Sequence, residues 1–271
     1  MIKISLVTVT YNAAAVVGPT FDSVFRQTYP AIEHIIVDGA SADDTIAVAK
    51  DYMERSYASD NGHEVKILAE PDNGIYDAMN KGLHMATGDY VCFLNAGDAL
   101  HADDTIEELL RDTGVDSFVA ADGGEDGLPA VLYGYTDIVD GDRKFVCHRR
   151  LSPPDDLSWR SFRHGMLVCH QAFYARADIA KALPYDLQYR YSADFDWCIR
   201  VMKVAEERKL PLAGAAIVVA DYLKEGTTTR HHKASLRERF RIMAKYYGTL
   251  STFLMHAWFA VRRVAGTPRL F

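Results

Sequence analysis

The chain has 271 residues, of which 49% are hydrophobic and 25% charged, so it is long enough for one large core and for one or two domains. It contains no stretch of 18 apolar residues, which argues against a transmembrane helix. Its four cysteines are widely spaced and form no C-x-x-C pair. They are predicted to be reduced core thiols, not a zinc site or a disulfide framework.

The charge is unevenly distributed along the chain. Residues 224–271 hold ten Lys and Arg against two acids, a charge of +8, whereas residues 1–223 carry −15. An acidic body argues against general nucleic-acid binding, so no nucleic-acid partner is expected. The basic tail is predicted to face something anionic.

The first hundred residues alternate short apolar runs with amphipathic segments. The N-terminal run is too short for a signal peptide and is interpreted as the first strand. Strands are predicted over residues 4–9, 32–38, 65–69 and 90–94, and helices over residues 16–27, 41–55 and 75–85. This order predicts an α/β fold with a mostly parallel central sheet, covered on both faces.

The pattern changes after residue 98. Helices are predicted over residues 103–111, 193–206 and 236–264, and strands over residues 115–121, 131–140, 167–174 and 215–219. A Gly- and Asp-rich turn is predicted over residues 123–127, and residues 143–147 are expected to pair back on residues 133–138 as a hairpin. Residues 151–166 show little periodicity and are interpreted as a long loop.

Polar residues follow three of the predicted strands, at carboxyl ends that parallel strands place on one sheet edge: Thr10-Tyr11-Asn12, Asp38, and Asn95 to Asp98. Ligands bind at such edges. Asp38 and Asn12 also suit ordinary turns, and the N-A-G-D stretch suits a plain turn equally well. A single carboxylate such as Asp98 would hold Mg²⁺ or Mn²⁺ if a diphosphate supplied the other ligands.

Further candidates also have two interpretations. Asp77 and Lys81 are spaced i, i+4, which indicates either a surface ion pair or a helix that lines a nucleotide site. Asp194 and Asp196 begin a helix, where acids complement the helix dipole or where one serves as a general base. His170 and Gln171 lie beside a predicted strand, where a lone His is commonly structural.

Several chemistries lack their motifs. No G-x-G-x-x-G follows the first strand, so a dinucleotide oxidoreductase is not expected. No G-x-x-x-x-G-K-[ST] is present, which excludes a P-loop NTPase, and no G-x-S-x-G elbow of a serine hydrolase occurs.

The order of the segments SLVTVTYN, IIVDGASADDT, DNGIYDAMNKGLHMATGDYVCFLNAGD, HQAFY and ADFDWCIR resembles the family 2 glycosyltransferases of bacterial polysaccharide assembly, over about residues 3–225. The resemblance implies a GT-A fold, with a nucleotide-sugar-binding half over residues 1–100 and an acceptor half over residues 101–225. Residues 226–271 would be a basic helical extension. It also implies a UDP-sugar donor, Mn²⁺ or Mg²⁺, and inversion at the anomeric carbon.

The resemblance assigns roles to single positions. It places the base and ribose beside Thr10, Tyr11 and Asn12, the base on Asp38, and the rest of the nucleotide pocket on Gly74, Asp77 and Lys81. The D-x-D metal motif aligns with Ala96-Gly97-Asp98, so its first acid is missing, Asn95 stands one step earlier, and Asp98 is the metal ligand. The E-D base motif aligns with Ala193-Asp194, which makes Asp194 the general base and Asp196 a supporting residue. The Q-x-x-R-W signature of processive synthases is absent, so one sugar is expected per encounter.

The acceptor is expected to be a saccharide, lipid-linked, on the cytoplasmic side of the inner membrane. Acceptor contacts are assigned to His170, Gln171, Asp196 and Arg163, and a basic loop would meet the acceptor's phosphates (His148, Arg149, Arg150, Arg160, Arg163 and His164). One face of the last helix is apolar: Leu250, Phe253, Leu254, Ala257, Trp258, Val261 and Val264. It is predicted to pack on the body or in a homodimer, or to lie in the membrane plane beside Arg262, Arg263 and Arg269.

Two other functions compete with an active glycosyltransferase. A sugar-phosphate nucleotidyltransferase would need a G-x-G-x-R loop after the first strand, which TYNAAAVVGP lacks. A degenerate relative that only binds nucleotide or scaffolds an assembly is suggested by Ala96 and Ala193, which replace the first acids of the two motifs.

Overall fold

A single β-sheet organises the protein in the computed structural model, which describes residues 1–115, 127–224 and 232–264. Its strands within these ranges are β1 (Ile4–Thr10), β2 (Ile32–Asp38), β3 (Glu64–Ala69), β4 (Tyr90–Phe93), β5 (Ala99–Leu100), β6 (Val131–Val139), β7 (Phe145–His148), β8 (Phe173–Arg176) and β9 (Leu212–Leu223). Their order across the sheet is β3-β2-β1-β4-β8-β6-β9-β5, with β7 paired to β6.

Helices cover the sheet. Those described are α1 (Ala14–Phe25), α2 (Thr45–Ser59), α3 (Ile75–Met85), α4 (Thr105–Asp112), α5 (Ala177–Ala182), α6 (Ala193–Glu207), α7 (His232–Tyr247) and α8 (Thr249–Val264). Two short 3-10 helices, Ser161–His164 and His170–Ala172, interrupt the loops. Among the described helices, none is long and apolar enough to cross a bilayer.

The first half of the sheet is parallel, as the alternating pattern predicted. β1 lies between β2 and β4, and all seven residues of β1 and of β2 are buried, as expected for strands covered on both faces. The register aligns Thr10 with Asp38 and Val7 with Phe93. The carboxyl ends of these strands therefore meet at one edge.

The second half of the sheet is mixed. β8 pairs antiparallel with both β4 and β6, and the predicted hairpin of β6 and β7 is confirmed. β9 runs parallel to β6 and also pairs with β5. β5 follows β4 closely in the chain, but β8, β6 and β9 lie between them in the strand order. The 94–98 turn therefore crosses the ends of these three strands.

Three predicted elements differ from the observed ones. The strand over residues 167–174 is wrong in its first part, because the 3-10 helix His170–Ala172 precedes β8. The helix over residues 236–264 is two helices, because Gly248 at φ +83° adopts a left-handed conformation that ends α7. The strand over residues 115–121 is also wrong at its start, since Val115 is helical, and residues 116–126 lie outside the described ranges.

Candidate active site

The ends of β1 and β2 form a closed hydrogen-bond network around Asp38. The hydroxyl of Thr10 donates to Asp38 Oδ2 at 2.7 Å, and Ser41 donates to the same carboxylate through its backbone N–H at 2.7 Å and its hydroxyl at 2.6 Å. Asp38 is fully buried. The carboxylate is therefore held rigidly at the sheet edge, and its bonds to Ser41 shape the loop that follows β2.

The residues after β1 shape the same edge. Asn12 has a left-handed backbone at φ +49°, and its side-chain oxygen accepts the N–H of Ala42 at 2.9 Å. Its own N–H donates to the Ser41 hydroxyl at 2.8 Å. The ring of Tyr11 is 68% exposed beside this loop, so it offers an uncovered aromatic face at the mouth of the edge.

The loop before α3 is tied to the first turns of that helix. Asp72 accepts the N–H of Gly74 at 2.7 Å, and Asp77 accepts both the backbone N–H (2.9 Å) and the side-chain amide (3.1 Å) of Asn73. Gly74 sits at φ +119° as the N-cap of α3, a conformation that favours glycine.

Lys81 lies one turn further along α3. Its ammonium donates to the Pro71 carbonyl at 2.7 Å and contacts Glu70 at 2.9 Å. Within the described residues, Lys81 and Asp77 do not form the predicted i, i+4 ion pair with each other. Both instead hold the loop of residues 70–74, which lies beside Gly39 at the end of β2.

Asp98 closes the turn that follows β4. Its N–H donates to the Asn95 carbonyl at 3.0 Å, and Gly97 between them adopts φ +98° and donates its N–H to Thr20 at 2.9 Å. The Ala96 methyl group is half-buried. The Asp98 carboxylate accepts the Gln171 amide at 2.5 Å and the backbone N–H of Leu223 at 2.9 Å, so residues from three distant segments meet at this turn.

Asp98 is only 5% exposed, and burial raises its pKa to about 6, although the bonds from Leu223 and Gln171 oppose that rise. A nearby cation would stabilise the ionised form. Each carboxylate oxygen has two lone pairs, so each retains one acceptor position. Next to it, the side-chain oxygen of Asn95 is buried and has no hydrogen-bond partner within the described residues.

This donor set fits a cation that takes most of its ligands from elsewhere. The described residues contain no cluster of three or more His, Cys, Asp or Glu side chains able to enclose a metal. Mg²⁺ and Mn²⁺ prefer oxygen ligands, and Mg²⁺ commonly binds one or two protein groups together with substrate phosphates and water. Asp98 and the unpaired oxygen of Asn95 match that pattern.

Asp194 lies at the start of α6 and faces the same turn. Its Oδ1 accepts the hydroxyl of Tyr76 at 3.0 Å, and its Oδ2 lies 3.3 Å from Nδ1 of His170. The other ring nitrogen of His170 lies 3.0 Å from the side-chain amide nitrogen of Asn95. An amide N–H can only donate, so this contact leaves the His170 proton on Nδ1, directed at Asp194.

The surroundings of Asp194 favour its ionised form. Burial on its own raises the pKa of this carboxyl group. The hydrogen bond from His170, the charge of Arg239 and the hydrogen bond from the Tyr76 hydroxyl outweigh burial, so the pKa of Asp194 lies below its usual value. The group is thus a carboxylate at neutral pH, as a proton acceptor must be.

The structure places two predicted acceptor residues outside this cluster. Asp196 is fully buried on another side of α6, where it accepts Arg200 at 2.6 Å, Lys245 at 3.1 Å and Tyr246 at 2.8 Å. It therefore ties α6 to α7 and makes no contact with Asp194. Arg163 is exposed in the 3-10 helix Ser161–His164, with its nearest polar partner the ring of His164.

The sequence did not predict Tyr76 or the backbone of Leu223 as parts of the site. Tyr76 lies in the segment DNGIYDAMNKG, where a large aromatic residue between the polar Asp72-Asn73-Gly74 loop and Asp77 was the available signal. Leu223 contacts Asp98 through its backbone N–H, so the identity of its side chain does not indicate this contact.

Relatives and solved structures agree on one class of protein. The family model described as glycosyl transferase family 2 matches residues 5–123. A PGL/p-HBAD biosynthesis glycosyltransferase of Mycobacterium bovis (strain BCG / Pasteur 1173P2) is 36% identical over 197 residues, which span 72% of this chain and 68% of the relative. The amylovoran biosynthesis glycosyltransferase AmsB of Erwinia amylovora is 28% identical over 208 residues, spanning 75% of this chain and 65% of AmsB.

The fold has counterparts among solved structures. S. aureus TarS 1-349 in complex with UDP superposes with a TM-score of 0.61 at 13% identity, over 98% of this chain and 72% of TarS 1-349. The mannosyltransferase PcManGT from Pyrobaculum calidifontis, in complex with GDP-Man and Mn²⁺, gives 0.58 at 16% identity, over 98% and 76% of the two chains.

The curled mixed sheet, with its polar edge at the ends of β1, β2 and β4, defines a transferase with a GT-A-type fold. The chain belongs to glycosyl transferase family 2. It is accordingly an enzyme of the glycosyltransferase class, and the predictions of fold and family made from the sequence are confirmed.

Proposed function

We propose that the protein transfers a single hexose or N-acetylhexosamine from a UDP-sugar to a saccharide acceptor, with inversion and with a divalent metal. The observation that carries the proposal is Asp194: a buried, ionised carboxylate held by two neighbours and linked through His170 to Asn95 in the Asp98 turn. A proton acceptor beside a phosphate-binding edge is what inverting transfer requires.

The donor would occupy the edge formed by β1, β2, α3 and the Asp98 turn. Tyr11 would stack on the base. Asp38 with its partner Thr10, and Asn12 through its bonds to Ser41 and Ala42, would recognise the base and ribose through the loop they shape. The rest of the nucleotide pocket and its phosphate side would be formed by Gly74, Asp77, Lys81, Asn95, Ala96 and Gly97. TarS is solved with UDP and PcManGT with GDP-Man on this same fold, so the choice of a uridine nucleotide rests on the resemblance to the family.

Asp98 would hold Mn²⁺ or Mg²⁺, with the unpaired oxygen of Asn95 as a second protein ligand. The cation would supply Lewis-acid neutralisation of the departing diphosphate. The missing first acid of the motif would then be replaced by an uncharged oxygen, which predicts weaker metal affinity than two carboxylates provide.

Asp194 would take the proton of the acceptor hydroxyl. The acceptor oxygen would form its bond to the anomeric carbon on the face opposite the nucleotide, while the bond from that carbon to the β-phosphate oxygen breaks and the nucleoside diphosphate leaves. His170 and Tyr76 keep the carboxylate oriented during this step. One displacement at the anomeric carbon inverts its configuration.

The acceptor would lie on the side of residues 101–225. His170 and Gln171 occupy the boundary between the two halves, where Gln171 also holds Asp98. Arg163 is exposed and suits a phosphate of the acceptor. Other members of the basic loop are already engaged: Arg149 donates to three backbone carbonyls, and Arg160 pairs with Glu206. For Asp196 we propose a structural role between α6 and α7.

We further propose that the acceptor is lipid-linked, that it serves cell-surface polysaccharide synthesis, and that α8 contacts the cytoplasmic face of the membrane. α8 packs on the body through Thr252, Met255 and Phe259. Its opposite side is exposed and apolar, with Leu250, Phe253, Leu254, Ala257, Trp258 and Val261 in one stripe. The surplus of Lys and Arg after residue 223 suits anionic lipid headgroups.

The proposal is tested with a panel of nucleotide sugars: UDP-Glc, UDP-Gal, UDP-GlcNAc, UDP-GalNAc, GDP-Man and dTDP-Rha, each with Mn²⁺ or EDTA, reading released nucleotide. We expect release from one UDP-sugar, its loss in EDTA, and its loss in Asp98→Ala and Asp194→Asn. Asp194→Asn should still bind UDP and Mn²⁺ by calorimetry, because Asp194 contacts Tyr76 and His170 and not the residues proposed to hold the nucleotide and the metal.

Asp51→Asn is the matched control, since this carboxylate on α2 is exposed and forms an ion pair with Arg55. It should behave as the wild-type protein. Failure to bind both UDP and Mn²⁺, or equal nucleotide release from Asp194→Asn and the wild type, would overturn the proposal.

A further inference from the structure

Tyr76 connects the two halves of the site. It lies in the first turn of α3, whose start carries the Asp72-Asn73-Gly74 loop, yet its hydroxyl reaches Asp194 at the start of α6, 118 residues away in the chain. The next residue, Asp77, holds the Asn73 loop by two hydrogen bonds. One helical turn therefore contacts both the proposed donor loop and the proposed base.

The ring of Tyr76 is fixed in place by other aromatic rings. It stacks on Tyr185 with centroids 5.3 Å apart, and Tyr185 in turn packs on Phe93 at 5.0 Å and on Trp197 at 5.1 Å. All four side chains are buried. A hydroxyl carried on such a rigid cluster has little freedom, so its hydrogen bond sets the direction of the carboxylate.

We infer that Tyr76 is a positioning residue of the transfer reaction, which orients the carboxylate of Asp194 toward the acceptor hydroxyl and couples that orientation to the donor loop of α3. The inference rests on the proposed role of Asp194 as general base. Tyr76 is 9% exposed and acts through Asp194, so it does not itself exchange a proton with the acceptor.

The chain offers a matched pair of substitutions. Tyr76→Phe removes the hydroxyl that bonds Asp194 and keeps the ring. Tyr185→Phe removes a hydroxyl that has no hydrogen-bond partner within the described residues, from the adjacent ring of the same cluster. Both changes alter the apolar packing equally little, so a difference between the two variants reports the hydrogen bond to Asp194.

The experiment measures release of UDP from the UDP-sugar that the wild type turns over, with Mn²⁺ and with water as acceptor. We expect Tyr76→Phe to lower kcat about ten- to hundredfold, as the loss of a bond to a charged group does, with the donor KM unchanged. Tyr185→Phe should retain the wild-type kcat.

A pH profile separates positioning from a general loss of packing. Groups around Asp194 are His170, Tyr76, Arg239, Tyr185, Cys169 and Cys198. Tyr76 stabilises the charged form, so its loss should raise the pKa of Asp194 and move the acidic limb of the kcat profile to higher pH. Tyr185→Phe should leave that limb in place.

Asp194→Asn distinguishes the two levels of the proposal. If this variant releases UDP as the wild type does, the general-base assignment fails. If it is inactive while Tyr76→Phe and Tyr185→Phe have equal kcat and equal pH profiles, the base stands and the role of Tyr76 is overturned. UDP binding by calorimetry confirms that each variant is folded.

Discussion

In the side-chain amide of Asn95, the nitrogen has a hydrogen-bond partner and the oxygen has none within the described residues. The nitrogen donates to His170 and thereby sets the tautomer that faces Asp194, while the oxygen stays buried and unpaired beside Asp98 within the described residues. A buried polar atom without a partner is costly, so such an atom usually has a ligand in the working state. This amide therefore links the proposed base to the proposed cation.

Glu33, in contrast, is a buried carboxylate whose oxygens accept hydrogen bonds from other protein groups. It lies in β2 away from the active edge, and it accepts bonds from Ser5, Thr87 and Lys66. Burial on its own would raise its pKa. These hydrogen bonds outweigh burial and lower the pKa to about 2.

Glu33→Gln should therefore destabilise the protein in a pH-dependent way. A carboxylate with a lowered pKa stabilises the fold fully above its unfolded pKa, and this stabilisation disappears as the pH falls through the folded pKa. We expect a loss of about 3 kcal/mol in the free energy of unfolding at pH 7. In urea titrations, the difference from the wild type should shrink between pH 4.5 and pH 2; a constant difference would contradict this account.

Residue chemistry was only partly readable from the sequence. The positions of Asp98 after a strand and of Asp194 at the start of a helix could be predicted, because the resemblance aligns them with the metal and base motifs of the family. Tyr76 could not, because its partner is 118 residues away and a buried tyrosine alone indicates only a core. By position in the first turn of the helix alone, Asp196 suited a general base as well as Asp194 did. The packing of α6 against α7 shows that the two side chains contact different groups.

Among the elements, α3 does the most to assemble the site. It carries Gly74, Tyr76 and Asp77, and it packs directly on the sheet at Gly82. A Cβ atom added there would lie 2.4 Å from Val7 Cγ1 in β1 and 3.3 Å from Val37 in β2. The close packing of α3 on β1 and β2 thus fixes the position of its first turn at the edge of the sheet.

Gly82→Ala should lower stability and weaken the donor site together. The 2.4 Å approach to a β-branched side chain places the cost in the upper part of the overpacking range of about 1–3 kcal/mol, and better helix propensity offsets about 1 kcal/mol of it. A net loss of about 1–2 kcal/mol should lower Tm by about 2–8 °C, and we expect UDP affinity to drop, as measured by calorimetry.

Gly141→Ala is the control, because open space surrounds this position in the turn after β6. It should leave both Tm and UDP affinity unchanged. A rise in Tm for Gly82→Ala would show that helix propensity dominates and that α3 is not held tightly against β1.

The elements of the first half were predictable because β1 to β4 follow a simple alternation with helices. β5 was not predicted, since two residues have no periodicity and their pairing with β9 depends on contacts more than a hundred residues away, such as His101 with Asp221. Residues 170–172 were predicted as strand because they are apolar or uncharged. They form a 3-10 helix, which brings the Gln171 side chain within hydrogen-bond distance of Asp98.

At the scale of the whole molecule, folding leaves the apolar stripe of α8 exposed to solvent. Phe253 is 62% exposed and Trp258 is 54% exposed, although the same helix packs on the body by its other side. The sequence predicted the stripe but left its partner open. The proposed partner is an anionic lipid surface.

Phe253→Glu combined with Trp258→Glu should abolish flotation with vesicles that contain phosphatidylglycerol. Burial of each side chain in the interface contributes about 1.5–3 kcal/mol, and the added charges oppose anionic lipid. The wild-type chain should float with these vesicles and less with vesicles of phosphatidylcholine alone.

Phe145→Glu is the control, because Phe145 is 58% exposed on β7, away from α8. This variant should float as the wild type does. Equal flotation of all variants would contradict the membrane role, and a shift from dimer to monomer in the double variant alone would assign the stripe to a second copy of the chain.

The path of the 94–98 turn across the strand ends also affects when this part of the protein can form during synthesis. Asp98 is secured by the backbone of Leu223, which is synthesised 125 residues later. At typical rates of translation, roughly 6–25 s separate the two residues on the ribosome. The first hundred residues can form their parallel strands in that interval, but the Asp98 turn lacks its final support until β9 has emerged.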